Sequence, residues 1–391
     1  MRVDWEPAAA SLAAGVTDPT SRWRSLVAAT PRHVFVPRWW EREGTTDWTV
    51  RDGPASASDW LSAAYSDRSL VTRVGIAHAD HARPGDHSQG RPTSSSTLPG
   101  LVVAMYRHAT ITGDSDVLDV GTGSGYGAAL LAARLGDRRV TSIDVDAYLA
   151  RAATERLDAI GRHPEVITGD ATGPLPGTYD RIVSMTSVAP VPPSWLAALR
   201  PGGRLVTTIA GTSLLVTADK IPDGAATGRV EWYRAGFMEA RTSPDYPPAL
   251  LDTIPGARDG DGDDVTTGTY PVLDIGSSRE LLSMLGVTIP GTDTHYEEDD
   301  RHRTAWLLHP DGSWARATAT GDQSPRIHQA GPRRLWSHLD SLRDQWLRDG
   351  ALPVYGSAVV ITPDGSITFG RGKWKATISA SPPGAHLRSQ G

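Results

Sequence analysis

The sequence predicts a doubly wound α/β protein: a Rossmann-like parallel sheet flanked by helices, with a smaller C-terminal α+β domain. Three observations lead there. Between residues 97 and 210, short apolar runs alternate with helical patterns, and parallel neighbouring strands need such crossovers. Alternating glycines, Gly121, Gly123 and Gly125, separate the first of those strands from its helix. After about residue 240 the pattern changes to turns rich in Pro, Gly and Asp. The chain's 391 residues also exceed what one hydrophobic core usually organises.

Residues 1–30 read as helical, with Trp23, Leu26 and Val27 at helix-like spacing before Pro31. The apolar run HVFVPRWW follows. Residues 41–96 read as irregular, and HADHARPGDHSQGRPTSSS as a long exposed loop. LPGLVVAMYRHA predicts a helix. DVLDVG and RVTSIDV predict buried strands, with the helix AALLAARL between them. AYLARAATERLDAIG is a further helix, EVITGD a third strand and YDRIVSM a fourth. PPSWLAALRPGG predicts a helix ended by Pro201 and Gly202, before a fifth strand, RLVTTIA. A Pro/Gly/Asp-rich linker leads to Ser277 and Glu280, which have capping-box spacing ahead of LLSML. Two hairpins, AWLLHPDGSWARA and AVVITPDGSITFG, turn on the same tripeptide, and shared turn chemistry explains this without a repeat. Between them Leu335, Leu339, Leu342 and Trp346 share a helical face that stops at Gly350. The expected units are therefore 1–96, 97–240, a linker over 241–267, and 268–391.

A net charge of −6 offers no broad basic face for nucleic acid. No cysteine is present, which excludes thiolate chemistry, disulfides and thiolate metal sites. The opening MRVDWEPAAA carries Asp4 and Glu6 and lacks the apolar run of a signal peptide. No run approaches the ~20 apolar residues of a membrane span. The expectation is a soluble cytoplasmic protein with no nucleic-acid or membrane partner and no metal; its oligomeric state is not legible. His78, His81 and His87 sit in a loop without a carboxylate pattern and read as lining a substrate entrance. DGDGDD (259–264) imitates a calcium loop, but Tyr270 stands where the closing Glu is needed. EEDD (297–300) reads as a solvated face.

The glycine loop carries the most information. Glycines there let the backbone turn sharply and a ligand approach without a Cβ in the way. A dinucleotide fingerprint needs its third glycine at position 126, which is Tyr126. The G-x-G-x-G spacing instead resembles motif I of class I S-adenosylmethionine-dependent methyltransferases. That resemblance implies S-adenosylmethionine as cofactor and S-adenosylhomocysteine as product, with Gly121, Thr122, Gly123, Ser124, Gly125 and Tyr126 around the amino-acid end. Asp144 ends the next strand, where a carboxylate can accept both ribose hydroxyls, with Val145 beside it. Asp170 and Ala171, after the third strand, are placed to line an adenine pocket, and Asp119 to meet the methionine ammonium.

PRHVFVP (31–37), AYSDRSLVTRVG (64–75), the Ser/Thr tract with TLPGLVVAMY (97–106), GDATGPLPGTYDRIVSM and LRPGGRLV together resemble protein-L-isoaspartate O-methyltransferases over residues 20–210. The resemblance implies a peptide carboxylate as methyl acceptor. It also places the catalytic hydroxyl at Thr97, with Ser94, Ser95 and Ser96 before it. The chemistry agrees, because a carboxylate with a pKa of about 4 is already a nucleophile at neutral pH. Two departures stand out: some 150 further residues, and RPTSSST in place of the family's Gly-Gln-Thr-Ile-Ser tract.

The full length, through GRVEWYRAGFMEAR, SWARA and GPRRLWSHLDSLRDQW, is similar to a tailoring branch serving graspetide, lanthipeptide and lasso-peptide pathways. It implies an aspartate of a modified, macrocyclised precursor peptide as target, with aspartimide or isoaspartate as product. The C-terminal region is then expected to recognise the peptide, through hairpin edges and Trp306, Trp314, Trp336 and Trp346, although Trp336 and Trp346 also fit a helical core face. Repair of isoaspartate, methylation of a small molecule and a non-enzymatic scaffold remain alternatives. Nucleic-acid methylation is disfavoured because no Asp/Asn-Pro-Pro-Tyr tetrapeptide occurs.

Overall fold

The computed structural model describes residues 3–44, 47–242, 249–254 and 256–380. Part of the expected linker (243–248 and 255) lies outside them. Val117–Val120, Val140–Asp144, Glu165–Thr168, Tyr179–Val188 and Leu199–Ile209 form a parallel set, fully buried at its centre, Val117–Val120, and partly exposed at its edge, Glu165–Thr168. Their spatial order puts Val117–Val120 beside Tyr179–Val188, so the winding direction reverses between these two strands. In open α/β sheets ligands bind outside the carboxyl ends of the strands at such a reversal. The fold is that of class I S-adenosylmethionine-dependent methyltransferases.

The sheet continues beyond this set. Leu214–Lys220 and Ala226–Arg234 add antiparallel strands, and Ala358–Ile361, Ile367–Arg371 and Trp374–Ile378 extend it to ten. The segments expected as one C-terminal unit are thus divided between two sheets. Asp264–Thr267, Asp293–Glu298, His302–Leu308, Trp314–Thr320 and Arg326–Ala330 form a separate antiparallel sheet, and the last hairpin joins the central one. One apolar cluster runs through both, from Leu118 and Trp195 to Leu307, Trp336 and Phe369.

The two Pro-Asp-Gly turns have different surroundings. Gly312 (φ +86°) faces open space, whereas a Cβ on Gly365 (φ +89°) would stand 1.9 Å from the Val191 carbonyl oxygen. The expected capping box does not form. Ser277 Oγ donates to Asp274, and Glu280 accepts 2.9 Å from the Val354 N–H, tying helix Arg279–Thr288 to the segment that leads into the strand Ala358–Ile361 instead.

The N-terminal region is more regular than its sequence reads. Among the described residues, 38–96 contain six short strands, including Pro92–Ser96, where a long exposed loop was expected. Apart from Asp47–Asp52, these strands have little alternation to betray them. Buried indoles hold them, Trp40 donating to Ala77 O and Trp48 to Gly90 O, both at 3.0 Å. Among the described residues no helix is long and apolar enough to cross a membrane.

Candidate active site

A cavity of about 310 Å³ opens at the topological reversal. The carboxyl ends of four parallel strands supply Asp119–Gly123, Ile143–Val145, Gly169–Thr172 and Met185–Thr186. The tract Pro92–Thr97 forms the facing wall, and Gly236–Arg241 closes a third side. Of the sequence-derived residues, Ser94, Ser95, Ser96, Thr97, Asp119, Gly121, Thr122, Gly123, Ser124, Tyr126, Asp144, Val145, Asp170 and Ala171 all line it.

Gly125 does not. Its φ of +92° starts helix Tyr126–Leu135, and a Cβ there would lie 3.0 Å from the Ala153 Cβ, so it serves close packing between helices. Gly121 and Gly123 do face the cavity. A Cβ on Gly121 would meet Thr186 Cγ2 at 3.0 Å, and one on Gly123 the Ser95 carbonyl oxygen at 3.3 Å. The glycine loop therefore lies directly against the Ser/Thr tract.

Asp119 is almost fully buried. It accepts from Ser142 Oγ at 2.8 Å and Tyr106 Oη at 3.5 Å. Burial pushes its carboxyl up to about 7 despite these donors. Among the described residues no cationic side chain acts on it, so a cationic ligand group would restore its charge. Asp144 accepts from the Gly123 N–H (2.8 Å) and the Asp146 N–H (3.0 Å). Its pKa is also raised by burial, against these backbone donors. Asp170 is exposed and accepts from Thr172 N (2.8 Å) and Thr172 Oγ1 (2.7 Å), which fixes the turn after its strand.

Within the Ser/Thr tract, Ser94 and Ser96 are buried, while Ser95 and Thr97 are half-buried. Ser94 Oγ accepts from Thr72 Oγ1 at 3.1 Å, and Ser96 Oγ has no partner among the described residues. The helix that follows, Pro99–His108, is anchored by Asp67, which accepts from Gly100 N (2.7 Å), and by Ser69, which accepts from Leu98 N (3.1 Å).

The sequence reading missed Arg32. Its guanidinium is fully buried and donates to the carbonyls of Ala64, Ser66, Arg68, Ser96 and Thr97 at 2.8–3.2 Å. Desolvation lowers its pKa to about 10. The wall Gly236–Arg241 was also missed as part of the site, although it ends the segment GRVEWYRAGFMEAR. It is tied to the strand Tyr179–Val188 by Ser187 N–H to Met238 O (2.9 Å) and Ala240 N–H to Ser187 O (2.8 Å). Arg241 lines the cavity and donates to Thr93 O at 3.2 Å.

The loop histidines do not line this cavity. His78 pairs with Asp146 at 3.3 Å and packs on Tyr148, His81 packs on the same ring, and His87 bonds Thr49. His78 and His81 clamp the N-terminal sheet onto the helix Ala147–Asp158, whereas the His87 bond stays within that sheet. Trp306, Trp314 and Trp336 are buried and Trp346 half-buried, so they are core rather than peptide contacts.

Residues 79–232 match the protein-L-isoaspartate(D-aspartate) O-methyltransferase family. Protein-L-isoaspartate O-methyltransferase 1 of Anaeromyxobacter sp. (strain Fw109-5) is 35% identical over 155 residues, covering 38% of this chain and 70% of that protein. The chain belongs to the protein-L-isoaspartate O-methyltransferase family. The Aeropyrum pernix protein-L-isoaspartate O-methyltransferase is 36% identical over 211 residues, 52% of this chain and 66% of the relative. For protein-L-isoaspartate O-methyltransferase 1 of Nitrosospira multiformis the figures are 32% over 159 residues, 39% and 64%. The chain thus spans less than two thirds of that relative's length. A solved protein-L-isoaspartate O-methyltransferase aligns over 96% of this chain with a TM-score of 0.49 and 18% identity. In this member of the family, the cavity wall Gly236–Arg241 lies beyond the matched residues.

Proposed function

We propose that the chain is an S-adenosylmethionine-dependent carboxyl O-methyltransferase whose target is an aspartate in a ribosomally made, macrocyclised peptide. The contact between the glycine loop and the Ser/Thr tract, Gly123 against Ser95, carries the reading, because it sets a cofactor site directly beside a row of hydroxyl donors.

The groups around the cavity suit the cofactor. Asp119 offers a buried carboxyl that a cationic ligand group would recharge, Asp144 has lone pairs left for a diol, and Gly121 and Gly123 keep the loop free of Cβ atoms. When bound, S-adenosylmethionine supplies a methyl group already activated on a sulfonium. The acceptor carboxylate is ionised at neutral pH, so no general base is required. What remains for the protein is orientation and exclusion of water. Thr97 and the serines before it donate to one carboxylate oxygen while the other attacks. Met185 and Phe237 line the cavity as apolar groups that exclude water.

Esterification replaces a poor leaving group by methanol. The backbone nitrogen of the following residue can then attack the ester carbonyl, lose its proton and expel methanol, which closes an aspartimide. Hydrolysis of that ring gives isoaspartate or aspartate. A macrocycle that holds the nitrogen near the ester raises its effective concentration. The tailoring reading is supported by the residues beyond the family match and by RPTSSST at the hydroxyl tract. A second reading, repair of isoaspartate in damaged proteins, is favoured by the names of the relatives.

The test compares methyl transfer to a linear isoaspartyl peptide and to a macrocyclic aspartyl peptide. Turnover on the macrocycle followed by methanol loss supports tailoring, whereas a stable methyl ester sinks the aspartimide step. Turnover mainly on the isoaspartyl peptide returns the chain to repair.

A further inference from the structure

Asp144 is aimed into the cofactor cavity by two backbone N–H groups, Gly123 on Oδ2 and Asp146 on Oδ1. The glycine loop fixes the first of these donors. The second is fixed by the side chain of Asp146 itself. That residue precedes the helix Ala147–Asp158, and its Oδ1 accepts from the Tyr148 and Leu149 N–H groups at 3.0 and 3.3 Å, which caps the helix. Its Oδ2 lies 3.5 Å from Arg73 Nη1 and 3.3 Å from His78 Nε2. The three side chains are nearly buried, at 4% exposure for Arg73 and 11% each for Asp146 and His78. At that depth charges are little screened, and removing one partner leaves the other uncompensated. Desolvation opposes the charge on Asp146, but His78, the Leu149 N–H and Arg73 hold its carboxyl down at about 2, so it is ionised across the neutral range.

Both counterions come from the N-terminal sheet and precede residue 79, where the family match begins. Arg73, on the strand Leu70–Val74, pairs in register with His78 on one neighbouring strand and with Ser94 of the hydroxyl tract on the other. One row of that sheet therefore reaches from the Ser/Thr tract to the turn that carries Asp144 and Asp146. A separate hold acts on the same helix, where Asp80 accepts from Tyr148 Oη at 3.0 Å and from Arg156 Nη2.

We propose that Asp146 is a positioning residue for the cofactor: braced by Arg73 and His78, it fixes the N–H that aims Asp144 at the ribose hydroxyls. The inference rests on the reading of Asp144 as the acid that takes the diol. A carboxylate already held in place loses little freedom when the diol binds, so the brace acts on affinity without touching the ligand. It gives the N-terminal sheet a part in holding the cofactor as well as in carrying the hydroxyl tract.

The test uses the full chain and two ligands, S-adenosylhomocysteine and its analogue lacking both ribose hydroxyls, with each Kd measured by titration calorimetry. In the wild type the analogue should bind at least about ten-fold more weakly, as the loss of hydrogen bonds to a charged acceptor predicts. Asp146→Ala should weaken S-adenosylhomocysteine by about five-fold or more and leave the analogue within about two-fold, so that the ratio of the two Kd values collapses. A merely structural loss would weaken both ligands alike and leave the ratio standing. His78→Phe keeps a ring against Tyr148 but removes one counterion. It should shrink the ratio by about three-fold or more, and it decides the matter if Asp146→Ala does not fold. Asp80→Asn loosens the same helix at its other hold and should leave the ratio as in the wild type. An unchanged ratio in whichever of the first two variants folds, or an equal loss of ratio in Asp80→Asn, overturns the positioning role alone. A wild type that binds both ligands equally overturns the diol reading of Asp144 and the positioning role with it.

Discussion

At the scale of single residues, Asp119 makes the sharpest prediction. Its carboxyl is raised to about 7 by burial, and only the ionised form can pair with a cationic ligand. Affinity for S-adenosylmethionine should therefore be full above pH 7 and fall as pH drops through that value, by roughly eight-fold between pH 7.5 and 6.0 for one linked proton. Titration calorimetry at the two pH values checks this, and Asp119→Asn should bind more weakly with the pH dependence gone. In the ligand-free protein the shift acts on stability in the same window. A raised carboxyl destabilises the fold above pH 7, and the penalty disappears as pH falls towards the unfolded value near 4. Asp119 and Asp144 were legible because strand ends before and after a glycine loop have fixed positions. Arg32 was not, because its partners are five carbonyls, and carbonyls leave no trace in residue identity. Replacing Arg32 by Met strands those acceptors and should cost at least about 3 kcal/mol in unfolding free energy. Urea denaturation within about 1 kcal/mol of the wild type would remove Arg32 from its role as anchor of the tract.

At the scale of elements, the parallel strands were readable because each is a short apolar run punctuated by a helix. The N-terminal strands were not, since they are held by Trp40 and Trp48 reaching across to carbonyls rather than by alternation. The paired turns show the same limit, because identical tripeptides serve different ends. Gly312→Ala meets no neighbouring atom and should cost only the roughly 1–2 kcal/mol of a left-handed backbone. Gly365→Ala must also displace the Val191 carbonyl, a backbone group, and should cost clearly more. Thermal melts of the two variants compare them directly, and equal losses would mean that the second turn does not press on the core.

At the scale of the whole molecule, the sequence shows a hairpin at residues 358–371 but not its destination. Ala358–Ile361 pairs with Ala226–Arg229, so the last strands complete a sheet begun far upstream. Deleting everything after residue 242 removes those strands and uncovers the apolar cluster that joins Val230 and Trp195 to Trp336 and Phe369. The truncated protein should be insoluble or lack cooperative unfolding, as judged by its soluble yield and circular-dichroism melt. A soluble truncation with full activity on macrocyclic peptide would refute both this coupling and any recognition role for the extension. The same pairing bears on how the protein is made. During synthesis at roughly 5–20 residues per second, the ribosome needs on the order of ten seconds to add the roughly 120 residues between the two partner strands. For that interval Ala226–Arg234 is an open edge able to pair with other nascent chains. Yield in a cell should then depend on translation speed and chaperone supply more than the stability of the finished fold would indicate.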